Sequence, residues 1–271
     1  MSLADFHQAQ VVDRVDFCED LAMFKVKMDV PFDFKAGQYV SLAVEGNGKI
    51  IQRPYSIVSS PLEPLLEFFI ELVPNGELTP RLWELKPGSK ILVRNRFVGT
   101  LVLDEANGVR RHLMAGTVTG AVPYISIVRH ESIRLKKDGR EPHQFVIIHG
   151  ASRSSEFGSY KDEMAEIARQ GWMTYIPTVS RPWEDPEWKG EKGRVEDIFR
   201  KHADRFGFNG TNSTGYACGH PQMIENVKGI LQRAGFGKEH IRTEKFFTVQ
   251  PATQPQPARV AAASGACSVA A

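Results

Sequence analysis

Four residues, Arg53-Pro54-Tyr55-Ser56, interrupt an apolar run that begins at Ile50 and resumes at Ile57. A strand built only to fill a core has little use for a cation, a phenol and a hydroxyl within four positions. The same three groups could serve a ligand that needs a charge, a flat surface and a hydrogen-bonding edge.

Three further stretches carry groups of this kind, each at the expected end of a strand. In "HLMAGTVTGAVPYISIV", residues 112–128, an apolar strand leads into Gly116-Thr117-Val118-Thr119-Gly120, and Pro123 sits in the first turn of an apolar helix. Unpaired N–H groups at a helix start attract anions, and small residues let a diphosphate approach the backbone. Gly116 and Gly120 are four apart, so the G-x-G-x-x-G fingerprint is absent, and a tight turn filled with small residues reads equally well. Further on, Ser180-Arg181 ends a strand and Arg194 follows. A planar guanidinium at that place suits a 2′-phosphate, although solvated surface arginines are the ordinary alternative. Last comes Cys218-Gly219-His220-Pro221, where the spacing predicts a partly exposed thiol near a positive helix end. An inert buried cysteine is the commoner case, and His220 could simply cap the helix. In a doubly wound sheet all three strand ends would face one crevice.

The elements that must position these groups fall into two rhythms. Strands are predicted over 10–16, 22–28, 39–44, 51–58, 66–73 and 90–94, separated by turns such as Gly46-Asn47-Gly48 and Pro87-Gly88. Short strands at this spacing predict an N-terminal antiparallel β-barrel or sandwich. From about 110, apolar runs at 111–115, 143–149, 173–178, 215–218 and 241–246 alternate with helical patterns at 160–170, 195–201 and 221–234, and with one that starts at Pro123. Such alternation predicts a mainly parallel α/β sheet wrapped by helices. The division is 1–105, 106–249 and a Pro-, Ala- and Gln-rich tail, 250–271, whose composition predicts flexibility. The joint is expected across 98–110.

Bulk numbers narrow the class. A chain of 271 residues with 42% hydrophobic and 24% charged residues has the makeup of a globular enzyme of one large or two ordinary domains. Its net charge of +2 gives no reason to expect nucleic-acid binding. The N-terminus lacks the basic start and apolar block of a signal peptide, and no apolar run reaches the ~20 residues of a membrane span. A cytoplasmic location follows as the expectation. Cys18, Cys218 and Cys267 are far apart with no C-x-x-C, which argues against an internal iron–sulfur cluster or a zinc knuckle, so no metal is expected.

Taken in order, these motifs resemble the bacterial type of ferredoxin/flavodoxin–NADP reductases over residues 8–248. "RPYS" is similar to the family's R-x-Y-S flavin signature, and "GTVTGAVPY" at 116–124 to its NADP loop. "TVSR" with the later Gly193-Arg194 resembles the 2′-phosphate site, and "CGHPQM" at 218–223 the nicotinamide-side C-G-x-P-x-M. "EKFF" at 244–247 stands where the family closes over the flavin. The resemblance implies an FAD-binding barrel, an NADP-binding α/β domain and hydride transfer between NADP(H) and FAD. It implies single-electron exchange with an acidic ferredoxin or flavodoxin, and a monomer suffices for this.

For FAD it implies Tyr55 flat against the ring, Arg53 beside the diphosphate, Pro54 between them and Ser56 at flavin N5. Gly76, Leu78 and Thr79 would donate backbone N–H groups to the diphosphate and Thr119 would also reach the FAD, with Phe246 over the ring and Phe247 on the adenine. For NADP it implies Thr117 and Gly120 in the phosphate loop. Arg153, Ser180, Arg181 and Arg194 would lie toward the 2′-phosphate, and Cys218 with Gly219 toward the nicotinamide. Ser56, Cys218 and Glu244 are the implied catalytic group. Val118 stands where many family members have glycine. Arg94, Arg96, Arg110 and Arg111 are candidate docking cations. The rivals are the reductase component of an oxygenase system and a non-catalytic flavin or nucleotide sensor.

Overall fold

The computed structural model describes residues 3–46, 48–105 and 108–245; Phe246, Phe247 and 250–271 lie outside the described residues. The N-terminal half contains strands β1 (Phe6–Cys18), β2 (Leu21–Met28), β3 (Tyr39–Gly46), β4 (Lys49–Ser56) and β5 (Leu66–Glu71). A short helix α1 (Thr79–Trp83) and strand β6 (Lys90–Arg94) follow. They form one antiparallel sheet in the order β4-β3-β6-β1-β2-β5. The sheet curls toward closure just beyond β4, where the Val58 N–H donates to the Glu67 carbonyl of β5 at 2.8 Å. This switch of partner ends β4 at Ser56, two residues before the expected boundary. Inside the curl lie Val11, Phe24, Val26, Val40, Leu42, Phe68 and Val93, all nearly water-free.

The C-terminal half runs β7 (Arg111–Thr117), α2 (Val122–Asp138), β8 (Gln144–Ala151), α3 (Tyr160–Ala168), β9 (Met173–Val179), β10 (Glu191–Lys192), α4 (Val195–Arg205), β11 (Thr214–Cys218), α5 (Pro221–Arg233) and β12 (Ile241–Glu244). Every strand pair is parallel, in the order β10-β9-β8-β7-β11-β12. Helices cover both faces, so β8 buries every residue after its first, as a strand with no wet face must. From β7 the chain first builds outward through β8 and β9, then returns to place β11 on the other flank. The reversal makes a crevice between the carboxyl ends of β7 and β11.

The two halves are tightly joined. Ser126 of α2 donates to the Ser59 carbonyl at 2.7 Å and accepts the Gly37 N–H at 3.3 Å. A side chain on Gly37 would strike the Leu101 carbonyl oxygen at 2.0 Å, and its φ is +94°. On β12, Arg242 and Glu244 share one face and grip the connecting strap. Arg242 reaches the Val102 carbonyl and Asp104, while Glu244 accepts from the Thr100 N–H and hydroxyl.

Candidate functional site

Strand β4 buries none of its eight residues, although it is a full member of the sheet. Alternation puts Arg53 and Tyr55 on one face and Pro54 and Ser56 on the other. Tyr55 packs its ring on the barrel core, and burial pushes its phenol up, more than the nearby Arg53 draws it down. Arg53 is half exposed and meets Glu77 at 2.5 Å. Glu77 belongs to the 73–79 turn, which the expectation assigned to the diphosphate. There the Thr79 hydroxyl is engaged in closing the turn: it accepts the Val73 N–H at 2.9 Å and donates to the Val73 carbonyl at 3.1 Å. Leu78 is the N-cap residue of α1. Thr79 therefore shapes the loop, with Gly76 donating its N–H to the same carbonyl at 2.8 Å.

Strand pairing traces a path across the domain seam that includes the three expected catalytic residues. Ser56 pairs opposite Tyr39, and Tyr39 exchanges backbone bonds with Val98 at 2.8 and 3.0 Å. The position of a side chain on Gly99 would be 3.3 Å from both the Tyr39 ring and Glu244 Oε1, and its φ of +137° favours glycine. Glu244 in turn pairs with Cys218, and Cys218 with Gly116. Through Tyr39 and the Val98–Gly99 strap, the barrel strand that ends at Ser56 is thus linked to Glu244, and through Glu244 to Cys218, in the second sheet.

Cys218 departs from expectation. It is fully buried, not partly exposed, and burial followed by the Glu244 carboxylate drives its thiol well above the usual range. It is a neutral, close-packed group at this seam. Glu244 Oε2 is buried and lacks a hydrogen-bond partner among the described residues. A buried carboxylate oxygen left unpaired is costly, on the order of 1–3 kcal/mol or more, and suits a site completed by a bound donor. This orphan acceptor and the uncovered strand β4 fit a flat ring with polar edges.

The crevice at the β7/β11 reversal measures about 270 Å³. Thr117, Val118, Thr119, Ser180, Arg194 and Gly219 line it, and Glu71 faces it from the barrel. Its floor depends on two glycines. A side chain at Gly120 would lie 2.4 Å from the Cys218 carbonyl oxygen, and one at Gly219 would lie 2.1 Å from Thr117 Oγ1. With Gly219 bare, Thr117 Oγ1 can instead accept the His220 N–H at 2.8 Å. His220 caps α5 through the Gln222 N–H, at 3.2 Å. Arg153 and Arg181 are one residue beyond the crevice-lining Ser152 and Ser180. A wider groove of about 510 Å³, between Phe32 and Pro61–Leu65 on the barrel, contains none of the expected residues.

Sequence reasoning flags one residue of this crevice and misses the group that supports it. Val118 has φ +47°, the one non-glycine with positive φ among the described residues. Its conformation is the one glycine would adopt freely. His149, buried beneath it, supports the bend. Burial lowers its pKa to about 4, so the ring is neutral. A neutral ring has one N–H, and Nε2 gives it to the Val118 carbonyl at 2.9 Å. Nδ1 must then accept the Tyr175 hydroxyl, also at 2.9 Å. The departure from glycine at position 118 was visible beforehand; the histidine under it was not.

Two of the four expected docking cations have other work. Arg111 donates to the Phe206 and Gly207 carbonyls and stacks on Phe208 at 4.6 Å. Arg110 donates to the Glu141 carbonyl. Arg96 is exposed and Arg94 half-buried. Among the described residues no group of three His, Cys, Asp or Glu could hold a metal ion, and no helix is long and apolar enough to cross a membrane.

Residues 8–97 match the oxidoreductase FAD-binding domain family, and residues 114–229 match the oxidoreductase NAD-binding domain family. These define a two-domain flavin- and nucleotide-binding oxidoreductase. The chain is 33% identical to a flavodoxin/ferredoxin–NADP reductase of Shigella flexneri, over 76% of this chain and 83% of that protein. It is 32% identical to a flavodoxin/ferredoxin–NADP reductase of Rhodobacter capsulatus, over 90% of this chain and 92% of that one. Among solved structures, a ferredoxin NADP+ reductase from Neisseria gonorrhoeae with bound FAD and NADP superposes with a TM-score of 0.79 at 21% identity. That match covers 90% of this chain and 99% of the other. The chain belongs to the flavodoxin/ferredoxin–NADP reductase family.

Proposed function

We propose that the chain is an FAD-dependent reductase that moves hydride between NADP(H) and FAD and exchanges single electrons with a ferredoxin or flavodoxin. The observation that supports this reading is the buried, unpartnered Glu244 Oε2 on the strand paired with Cys218, near the crevice at the β7/β11 reversal. Bound FAD would supply the exchange between hydride and single-electron chemistry.

The chain's own residues bind, orient and exclude water. Tyr55 offers an aromatic face. Arg53 offers a charge to the FAD diphosphate once Glu77 releases it, and exposed pairs of this kind are weak enough to exchange. Ser56 presents a hydroxyl at the strand end. Glu244 holds a carboxylate oxygen ready for a donor at the nicotinamide side. Cys218, neutral and small, leaves a ring room to lie flat. Thr117, Gly120 and Gly219 form a floor low enough for a phosphate-bearing chain, and Ser180, Arg181 and Arg194 face the 2′-phosphate, with Arg153 adjacent. The reading assigns Phe246 and Phe247, outside the described residues, to the far face of the flavin. It keeps 1–105 and 106–249 as the FAD and NADP domains, a monomeric state, a cytoplasmic setting and an acidic protein partner that meets Arg94 and Arg96.

Purified protein should be yellow, and NADPH should bleach it under anaerobic conditions. A colourless protein that refuses added FAD ends the proposal. Cytochrome c reduction should depend on added ferredoxin or flavodoxin. Arg181→Ala should weaken NADPH binding far more than NADH binding.

A further inference from the structure

The arginines proposed for the 2′-phosphate are already facing an anion, one supplied by the chain itself. The ends of β8 and β9 are laced together: Ser180 N–H donates to the Ala151 carbonyl at 2.9 Å, and Arg181 N–H to the Ser152 carbonyl at 3.1 Å. The lacing sets Arg153 and Arg181 side by side. After Arg181 the chain makes a 3-10 turn, Pro182–Glu184, closed by the Glu184 N–H on the Arg181 carbonyl at 3.0 Å. Asp185 fastens that turn by accepting the Ser154 N–H at 2.7 Å. The turn delivers the Glu184 carboxylate between the two guanidiniums. One oxygen contacts Arg153 Nη2, and the other lies 3.7 Å from Arg181 Nη1. Arg153 also has Glu156 at 3.4 Å. By contrast, Arg194 makes no ion pair among the described residues.

We propose that Glu184 is a specificity-determining residue: its carboxylate occupies the place of a ribose 2′-phosphate between Arg153 and Arg181 and yields it when NADP(H) binds. The inference rests on the function proposed above. A phosphate monoester carries nearly two charges and three strong acceptor oxygens. Facing the same pair of forks, it outcompetes a singly charged carboxylate. Displacement still costs affinity. The side chains are 44%, 33% and 50% exposed for Arg153, Glu184 and Arg181, a setting in which ion pairs are weak. The carboxylate therefore tunes binding without blocking it. A cofactor lacking the phosphate leaves Glu184 in place, and an acid near a ribose can accept its 2′-hydroxyl. Glu184 thus narrows the preference for the phosphorylated cofactor.

The test is Glu184→Gln, which keeps the shape and removes the charge, compared with Arg181→Ala. Binding of 2′,5′-ADP and of 5′-AMP to the FAD-loaded protein is measured by calorimetry, and KM and kcat for NADPH and NADH in parallel. Glu184→Gln should tighten 2′,5′-ADP about 3- to 10-fold and lower KM for NADPH to match, with kcat unchanged and 5′-AMP binding unchanged or weaker. Unchanged or weakened 2′,5′-ADP binding overturns the role of Glu184. If Arg181→Ala meanwhile loses 2′,5′-ADP selectively, the phosphate site stands and only this inference falls. If Arg181→Ala changes both ligands equally, both fall.

Discussion

Glu67 of the barrel and Arg129 of α2 meet across the domain boundary at 3.0 Å, with side chains only 9% and 14% exposed. The contact is part of a network. Tyr160 of α3 donates its hydroxyl to the same Glu67 oxygen at 2.9 Å, and Arg129 also holds Glu163 through bonds of 2.6 and 2.7 Å. A charge pair this dry stabilises little relative to an apolar pair, but breaking one side of it is expensive. Arg129→Met should therefore cost about 3–5 kcal/mol in urea unfolding. Glu163→Ala, on the wetter side and with Glu67 still paired to Arg129, should cost less, about 1–3 kcal/mol. Equal losses for the two would show that the interdomain contact carries no special weight.

Acid should destabilise the fold through buried histidines. Burial lowers His149 to about 4 and, with help from His143, lowers His112 to about 3. Both folded values lie below the unfolded ~6.5. The unfolded chain therefore binds more protons between these limits, and stability falls as pH drops from about 6.5 toward 4. His149 alone contributes on the order of 3 kcal/mol to that loss. His149→Gln, which retains an N–H for the Val118 carbonyl, should flatten the decline of Tm with pH. An unchanged slope would acquit this residue.

The crevice floor leaves no room for a methyl group. Gly120→Ala places a carbon 2.4 Å from the Cys218 carbonyl oxygen and 2.5 Å from Gly219 Cα, both backbone atoms that cannot swing away. NADPH affinity should drop at least ~10-fold, since a displacement of this size at a binding loop is felt strongly, while bound FAD per chain stays constant. Flavin content measured by absorbance, beside KM for NADPH, separates the two effects.

Tyr55 should matter to FAD through its ring more than its hydroxyl. Tyr55→Ala removes a large aromatic contact, worth about 3 kcal/mol or more when a buried ring is truncated. The variant should lose flavin on gel filtration. Tyr55→Phe should retain it. Should both variants stay yellow, the flavin rests elsewhere.

Val118 offers a test of opposing terms. Its left-handed backbone, φ +47°, costs about 1–2 kcal/mol relative to glycine. Glycine would add about 0.4–1 kcal/mol of unfolded-state entropy, and it would remove an aliphatic side chain that packs on two core clusters. These nearly cancel, so Val118→Gly should shift stability by less than about 1 kcal/mol. A large loss in thermal unfolding would mean that packing dominates the bend.

Much of this molecule was readable from local pattern. The two rhythms of strands and helices, the glycine- and threonine-rich turn after β7, the Arg-Pro-Tyr-Ser break in β4 and the proline at the start of α5 are short-range signals. Backbone sterics and hydrophobic periodicity write them directly into neighbouring residues. Burial and partnership are long-range and were not readable. Cys218 looked half open because it ends a strand beside a helix start, yet the packing of Tyr124 and the Gly120 turn seals it. The Thr79 hydroxyl closes its turn on Val73, a partner six positions back that no local pattern announces. Arg111 looked like a docking cation until Phe208 folded under it. His149 beneath Val118, and Glu184 between two arginines, depend on where separate strands finish in space. Sequence spacing carries the identity of such groups; only the folded chain decides what each one touches, because contact energies fall off within a few ångströms while the partners stand tens of residues apart.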